Sequence, residues 1–256
     1  MDFIQFIKSF AILKIVIMIN SVKRVAIITG ASGGIGKEIA YLLAQNDISV
    51  TLTGRRVDKL EEIAHDLEKI GIISCVVSAD LEKEEEIKNL FRVSHSYWGK
   101  TDILINCAGL IIDASFSQGD SVNWKQMWNV NVHATCVAIQ EFLKFFNNTD
   151  GGQVINISSM SAHRVVTAGS IYPATKFAIK AISESLRKEL IQNGINVRVS
   201  CISPGLVDTN FGRVNTSNTQ KHLLPVDIAS TVLFILNTPL HVAIHDILLR
   251  SNIQFD

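Results

Sequence analysis

The sequence predicts an α/β domain built on a parallel sheet of about seven strands, with helices on both faces. Two observations carry that expectation. Strand-like and helix-like segments alternate from Arg24 to Arg250. Several of the strand-like segments are near-continuous apolar runs, as strands buried on both faces are. No repeat, low-complexity tract or linker divides the 256 residues, a length that suits one large domain.

The elements follow in order. "RVAIIT", beginning at Arg24, is a β-branched run closed by glycines. "GIGKEIAYLLAQN" then puts Ile35, Ile39, Leu42 and Leu43 on one helical face. "ISVTLT" is the second strand, and "VDKLEEIAHDLEKI" is an amphipathic helix with the stripe Leu60, Ile63, Ala64, Leu67 and Ile70. "IISCVVS" is a strand, and "EKEEEIKNLFRVSHSYW" is a helix whose acidic start suits the positive end of a helix dipole. "DILIN" is a strand, residues 124–146 form one long helical region, and "QVINIS" is the next strand. Residues 173–192 read as a helix, "INVRVSCIS" as a strand, and "PVDIASTVLFILN" as a helix opened by Pro225. "IHDILLR" closes as a strand. Residues 208–223 lack periodicity, and a polar loop of that length reads as a flap over a binding site.

Composition narrows the function classes. The chain is 47% hydrophobic and 19% charged, enough for a sizeable core. Lys plus Arg and Asp plus Glu both count 24, so the basic excess of a nucleic-acid binder is missing and a small-molecule substrate is expected. Cys75, Cys107, Cys136 and Cys201 are scattered without a Cys-x-x-Cys pair, which predicts reduced, mostly buried thiols and a cytoplasmic setting. His241 and His245 lack an acidic or cysteine partner at ligand spacing, so no metal is expected. Residues 1–22 form an apolar extension ahead of a domain spanning 23–256. Lys8 and Lys14 interrupt it, so no charge-free run is long enough to span a bilayer, and membrane contact is open only through residues 1–20. An interfacial anchor and an extra packing helix compete with a tail absent from the working protein. The second methionine at Met18 favours the last.

"TGASGGIG", residues 29–36, lies between the first strand and the first helix, the context a dinucleotide loop needs. Gly30 can turn the chain off the strand, and Gly34 and Gly36 permit close approach of a pyrophosphate to the helix N-terminus. Ser32 and Ile35 belong to the same loop. The second strand ends in Gly54, Arg55 and Arg56, where an NAD site would carry a carboxylate for the ribose hydroxyls. Two guanidiniums there favour NADP over NAD.

"INCAG", "NVNVHA", "NISSMSA", "YPATK" and "SPG" then fall in order at strand ends and helices. With the glycine loop they resemble the short-chain dehydrogenase/reductase family, and the resemblance runs from about residue 23 to the C-terminus. "SMSAHRV", "CISPGLVDT" and the last thirty or so residues resemble its farnesol dehydrogenase-like and serine 3-dehydrogenase-like branch. The family implies a Rossmann-like doubly wound fold, an NADP-dependent exchange of alcohol and carbonyl, and assembly as a homodimer or homotetramer through helices 124–146 and 173–192. Its catalytic roles fall on Asn131, Ser159, Tyr172 and Lys176, with Ser159 chosen over Ser158 because it lies 13 positions before the tyrosine. Its cofactor contacts fall on Asp80 and Leu81 at the adenine, and on Asn106, Ala108 and Gly109 along the adenosine and ribose. Pro204, Gly205, Val207 and Thr209 fall near the nicotinamide, together with Tyr172 and Lys176. Cys107 stands where the family has a second asparagine, and Val226 where the branch has glutamate.

The chemistry follows from residue types. A free tyrosine titrates near ~10, and a neighbouring ammonium one helical turn away lowers that value. Ser159 would hold the carbonyl oxygen as charge builds on it, and Asn131 would hold a relay water. Taken singly, a tyrosine and a lysine four apart are what chance supplies; the joint spacing makes the pair functional. Leu206, Val207, Phe211 and Val165 favour a hydrophobic substrate such as farnesol or a steroid. His163 and Arg164 offer the alternative of a carboxylate, as a hydroxy acid or serine would present. A cofactor-binding regulatory protein without catalysis is the third alternative.

Overall fold

A computed structural model describes residues 24–147, 151–165, 170–209, 211 and 222–252. The apolar extension 1–22 lies outside them, as does most of the loop 208–223. The strands are β1 (Arg24–Thr29), β2 (Ile48–Gly54), β3 (Ser74–Ser78), β4 (Ile103–Asn106), β5 (Gly152–Ile157), β6 (Val197–Pro204) and β7 (Asp246–Leu249). The helices are α1 (Gly34–Gln45), α2 (Val57–Lys69), α3 (Glu84–Trp98), α4 (Ser121–Trp128), α5 (Ala134–Phe145), α6 (Tyr172–Gln192) and α7 (Pro225–Leu236). The seven strands form one parallel sheet in the order β3-β2-β1-β4-β5-β6-β7.

Each face of the sheet carries its own core. Ile39 and Leu43 of α1, Leu60 and Ile63 of α2, and Ile228 and Val232 of α7 pack with Ile28, Leu52 and Ile105 on one side. Leu90 and Phe91 of α3, Ala138 and Phe142 of α5, and Leu186 and Leu190 of α6 pack with Val25, Ile27 and Val154 on the other. Strands covered on both faces must be apolar throughout, which is why the strand sequences do not alternate.

The chain leaves β1 toward β3 and returns to β4, so the strand order reverses between β1 and β4. Crevices open at the carboxyl ends of strands at such a reversal. A single row of aligned residues crosses the sheet just below it: Thr53, Thr29, Asn106, Asn156, Cys201 and Asp246. Asn106 donates from Nδ2 to Asn156 Oδ1 at 2.8 Å, and Asn156 donates to Ser183 Oγ of α6 at 2.8 Å. That relay ties the strand ends to α6.

The single helical region expected over 124–146 is three pieces. Asp120 accepts from the Val122 N–H at 2.8 Å and starts α4 early, a π-helical turn occupies Asn129–His133, and α5 follows. Asn131 sits within the π turn and is 1% exposed. Strand β3 starts at Ser74 because Gly71 ends α2 with φ of +79° and residues 72–73 only connect. All four cysteines are free, but only Cys75 and Cys201 are buried, while Cys107 is half-buried and Cys136 is exposed on α5. The expectation of mostly buried thiols therefore fails at Cys136, whose place on α5 faces away from the sheet. No described helix is long and apolar enough to cross a membrane.

Phe142 is fully buried and stacks on Phe146 with ring centroids 5.5 Å apart. Phe142→Ala is expected to lower the urea unfolding free energy by about 3–5 kcal/mol. A loss below about 1 kcal/mol would show that α5 is not packed as described.

Candidate active site

The site is assembled at the ends of β1, β4, β5 and β6. Gly30 turns the chain off β1 with φ of +69°, and a Cβ there would lie 2.8 Å from the Ala108 Cα. A Cβ at Gly36 would collide with the Gly30 carbonyl oxygen. Only glycine lets the two backbones and α1 close together in this way. Gly33 precedes α1 without a side-chain cap, so the first-turn N–H groups point into the crevice without competition from a cap. Thr29 fixes the opposite lip: its Oγ1 accepts from the Cys107 and Ala108 N–H groups, both at 3.1 Å.

Arg56 donates from Nη2 to the Ser32 carbonyl and, at 3.4 Å, to Ser32 Oγ, so it bridges the end of β2 to the glycine loop. Arg55 is exposed beside it. Asp80 is pinned beyond β3: its N–H donates to Glu86 at 2.7 Å and its Oδ1 accepts from the Glu82 N–H at 3.2 Å. Leu81, Asn106 and Ala108 line one small cavity with Thr29, Val130 and Thr135. Asn106 Oδ1 is buried there without a hydrogen-bond partner. Val130 and Thr29 are site residues that sequence reasoning missed. Val130 precedes Asn131 in "NVNVHA", and Thr29 opens "TGASGGIG", so both lay within motifs already singled out. The glycine cradle, the uncapped helix start, the orphan amide oxygen and the two arginines fit a dinucleotide.

Tyr172 opens α6, with Pro173 in its first turn. Lys176 follows one turn later, and its Nζ lies 5.7 Å from the Tyr172 ring centroid. Lys176 is 4% exposed and donates from Nζ to the Ile157 carbonyl at 3.0 Å. Ser158 donates to the Lys176 carbonyl at 3.1 Å, so the end of β5 is pinned to α6 from both sides. Ser159 accepts from the Ser161 N–H at 3.1 Å, which caps a short 3₁₀ turn, Met160–Ala162. Ser159 also lies beside the Tyr172 side chain and favours its charged form. Asn131 accepts from the Leu110 N–H at 2.7 Å and donates to the Leu110 carbonyl at 2.8 Å and to Thr175 Oγ1 at 3.0 Å. Its amide hydrogens are therefore committed to protein, leaving the oxygen's second lone pair for a water. A Cβ built on Gly109 would lie 3.6 Å from Lys176 Nζ and 3.8 Å from both Asn131 Oδ1 and Phe211 Cε2. Lys176 and Asn131 thus meet at Gly109, and Tyr172 joins them through Lys176 and Phe211.

Electrostatics depart from the sequence expectation at Tyr172. Burial pushes its hydroxyl up to about 12, and the neighbouring Ser159 pulls the other way. The expected lowering by Lys176 is not found, and the pocket that buries both groups disfavours any charge. Burial brings Lys176 itself down to about 8 and pushes the Cys107 thiol up to about 12.

The remaining expected residues lie near the rim. Pro204 ends β6, Gly205 donates to the Leu249 carbonyl at 2.7 Å, and Val207 bridges Leu223. Thr209 reaches across to the loop: its Cγ2 lies 2.7 Å from a Cβ built on Gly34. Ser32 and Ile35 are half-buried on the loop. Phe211 meets Tyr172 with ring centroids 6.2 Å apart. His163 meets Lys180, Nδ1 to Nζ at 3.0 Å, and Arg164 donates from Nη2 to Met160 Sδ at 3.4 Å.

Comparison with known proteins gives a consistent picture. Residues 24–220 match the family model described as short chain dehydrogenase. The chain is 37% identical over 247 residues to dehydrogenase/reductase SDR family member 11 of Homo sapiens, covering 90% of this chain and 95% of that protein. It resembles the solved structure of an alcohol dehydrogenase from the archaeon Thermococcus sibiricus complexed with 5-hydroxy-NADP, with 30% identity, a TM-score of 0.83, and coverage of 91% and 98% of the two chains. It also resembles the closed form of a serine dehydrogenase complexed with NADP+, with 27% identity, a TM-score of 0.83, and coverage of 91% and 96%.

Thr29→Val keeps shape and removes the acceptor of the Ala108 N–H and one of two acceptors of the Cys107 N–H. Urea unfolding is expected to show a loss of about 1–3 kcal/mol. An unchanged midpoint would mean that the lip formed by Cys107 and Ala108 does not depend on that hydroxyl.

Proposed function

The chain belongs to the short-chain dehydrogenase/reductase family, and on that premise we propose that it is an NADP-dependent oxidoreductase interconverting a hydrophobic alcohol and its carbonyl. The observation that carries this reading is Tyr172 beside Ser159 and one helical turn before a buried Lys176 ammonium. Gly30, Ser32, Gly34, Ile35 and Gly36 would hold the pyrophosphate, with Arg55 and Arg56 on the additional phosphate. Asp80, Leu81, Asn106, Ala108 and Gly109 would hold the adenosine and ribose side. Pro204, Gly205, Val207 and Thr209 would hold the nicotinamide side. Bound NADPH supplies a hydride to the carbonyl carbon.

The protein's own residues handle the proton. With its hydroxyl at about 12, Tyr172 carries its proton across the physiological range and can give it to the carbonyl oxygen. Ser159 Oγ donates to that same oxygen as its charge grows. The Lys176 ammonium then stabilises the tyrosinate left behind, a larger effect in a dry pocket than in water. Asn131 keeps the Leu110 backbone and α6 at fixed spacing and offers one lone pair to a relay water.

Leu206 and Phe211 are 41% and 42% exposed beside the site, and Val165 is 68% exposed. Exposed apolar side chains at a catalytic rim favour a hydrophobic substrate, in keeping with the farnesol dehydrogenase-like motifs. The likeness to a serine dehydrogenase supports the hydroxy-acid alternative. Against it stands His163, whose ring is engaged by Lys180. Exposed Val122 and Trp128 on α4 and Phe177 and Ile191 on α6 support assembly as a homodimer or homotetramer, and the enzyme would work in the cytoplasm.

The test is a panel of farnesol, a steroid alcohol and L-serine, each with NADP and NAD, on wild type and Tyr172→Phe. Turnover of an apolar alcohol with NADP is expected, and Tyr172→Phe should lose at least ~100-fold in kcat with cofactor affinity nearly unchanged. Retained activity in Tyr172→Phe, a preference for NAD, or turnover of L-serine alone would contradict the proposal.

A further inference from the structure

One cluster beside the site has no part in the chemistry above. His163 ends the 3₁₀ turn that Ser159 begins. Its Nδ1 lies 3.0 Å from Lys180 Nζ, and Lys180 Nζ lies 3.0 Å from Asp246 Oδ2. An ammonium only donates, so Nδ1 is the acceptor and the ring hydrogen sits on Nε2. That atom is buried without a hydrogen-bond partner and lies 3.9 Å from Asp246 Oδ2. Asp246 opens β7 in register with Cys201, on the row that runs through Asn156 and Asn106.

We infer that His163, Lys180 and Asp246 form a clamp that sets the position of Ser159 against Tyr172, with His163 and Lys180 as positioning residues. Tyr172, Lys176 and Lys180 recur every four residues and so share one face of α6. The segment from Ser158 to His163 is fastened to that face at both ends. At the first, Ser158 donates to the Lys176 carbonyl at 3.1 Å; at the second, His163 accepts from Lys180 at 3.0 Å. Ser159 lies between the fastenings, and its carbonyl and hydroxyl are both occupied in holding the turn, accepting from the Ala162 and Ser161 N–H groups. Freeing the second end removes the polar fastening at His163 and leaves the turn held by Ser158 and by the burial of Met160 and Ala162.

Partial exposure of the three side chains, 22%, 41% and 34%, argues against a role in global stability, because such pairs contribute little to it. Geometry is another matter: a displacement of about 1 Å at a reacting group can cost up to about 100-fold in rate. The cluster fits a device that fixes a distance. The inference rests on the assignment of Ser159 and Tyr172 to the reaction.

Five proteins test it: wild type, His163→Ala, His163→Asn, Lys180→Met and the double variant His163→Ala/Lys180→Met. The probe is NADPH-dependent reduction of phenanthrenequinone, an apolar diketone, and the second readout is hydrogen exchange at the Ser161 and Ala162 amides. His163→Ala and Lys180→Met should each lower kcat roughly tenfold while KM and NADPH affinity hold, and should speed exchange at both amides about tenfold. The double variant should be no worse than either single one. Asparagine places an oxygen near the position of Nδ1, so His163→Asn should recover most of both signals. Unchanged exchange in His163→Ala, multiplying losses in the double variant, or a raised KM for phenanthrenequinone at constant kcat in His163→Ala would each overturn the clamp. Tyr172→Phe keeps the two assignments separable. If it retains activity while His163→Ala loosens the turn, the catalytic assignment fails and the clamp survives. If it is inactive while His163→Ala matches wild type, the clamp alone fails.

Discussion

Lys176 keeps an ammonium where water scarcely reaches it, and much of the site's construction answers that one cost. A buried charge is tolerated only when hydrogen-bonded. The carbonyl of Ile157, at the end of β5, is its acceptor at 3.0 Å. To bring that carbonyl to α6, Ser158 bonds the Lys176 backbone and the Asn106–Asn156–Ser183 relay ties the strand ends to the same helix. Gly109 lets the chain pass within reach of Nζ without a side chain in between. The π turn at Asn129–His133 then aims Asn131 at the Leu110 backbone, which closes the pocket from the opposite side.

Dryness acts on every titratable group in the pocket, with opposite sign for acids and bases. It brings Lys176 down to about 8 and raises Tyr172 to about 12. Cys107, where the family resemblance leads one to expect asparagine, rises to about 12 as well, so the thiol stays neutral beside the lysine. A thiolate there would compete with tyrosinate for the same ammonium. The substitution keeps the backbone contacts of the lip, since both N–H groups at Cys107 and Ala108 are held by Thr29 and not by the residue-107 side chain.

Much of the fold was legible in the sequence, for identifiable reasons. Strands covered on both faces read as apolar runs, and α1, α2 and α3 show their buried stripes in residues such as Ile39, Leu60 and Leu90. The glycine loop was legible because only glycine fits at Gly30 and Gly36. The π turn was not, because one wide turn inside a helical pattern shifts the apolar spacing by a single residue. The direction of the Tyr172 shift was not legible either. Spacing names a tyrosine's neighbour, whereas burial depends on what the rest of the chain packs around both. His163 read as either a loop residue or a carboxylate ligand, since its partners Lys180 and Asp246 lie 17 and 83 positions away in sequence.

The claim that a buried ammonium supports a protonated tyrosine is tested most directly by the pH dependence of kcat for NADPH-dependent carbonyl reduction. Lys176 is charged below about 8 and loses its proton as pH rises through that value, while Tyr172 holds its own proton to about 12. The rate should therefore be level on the neutral side and fall through an apparent pKa near 8. A rate that stays level or climbs through that range would show that the lysine's charge does not support the tyrosine.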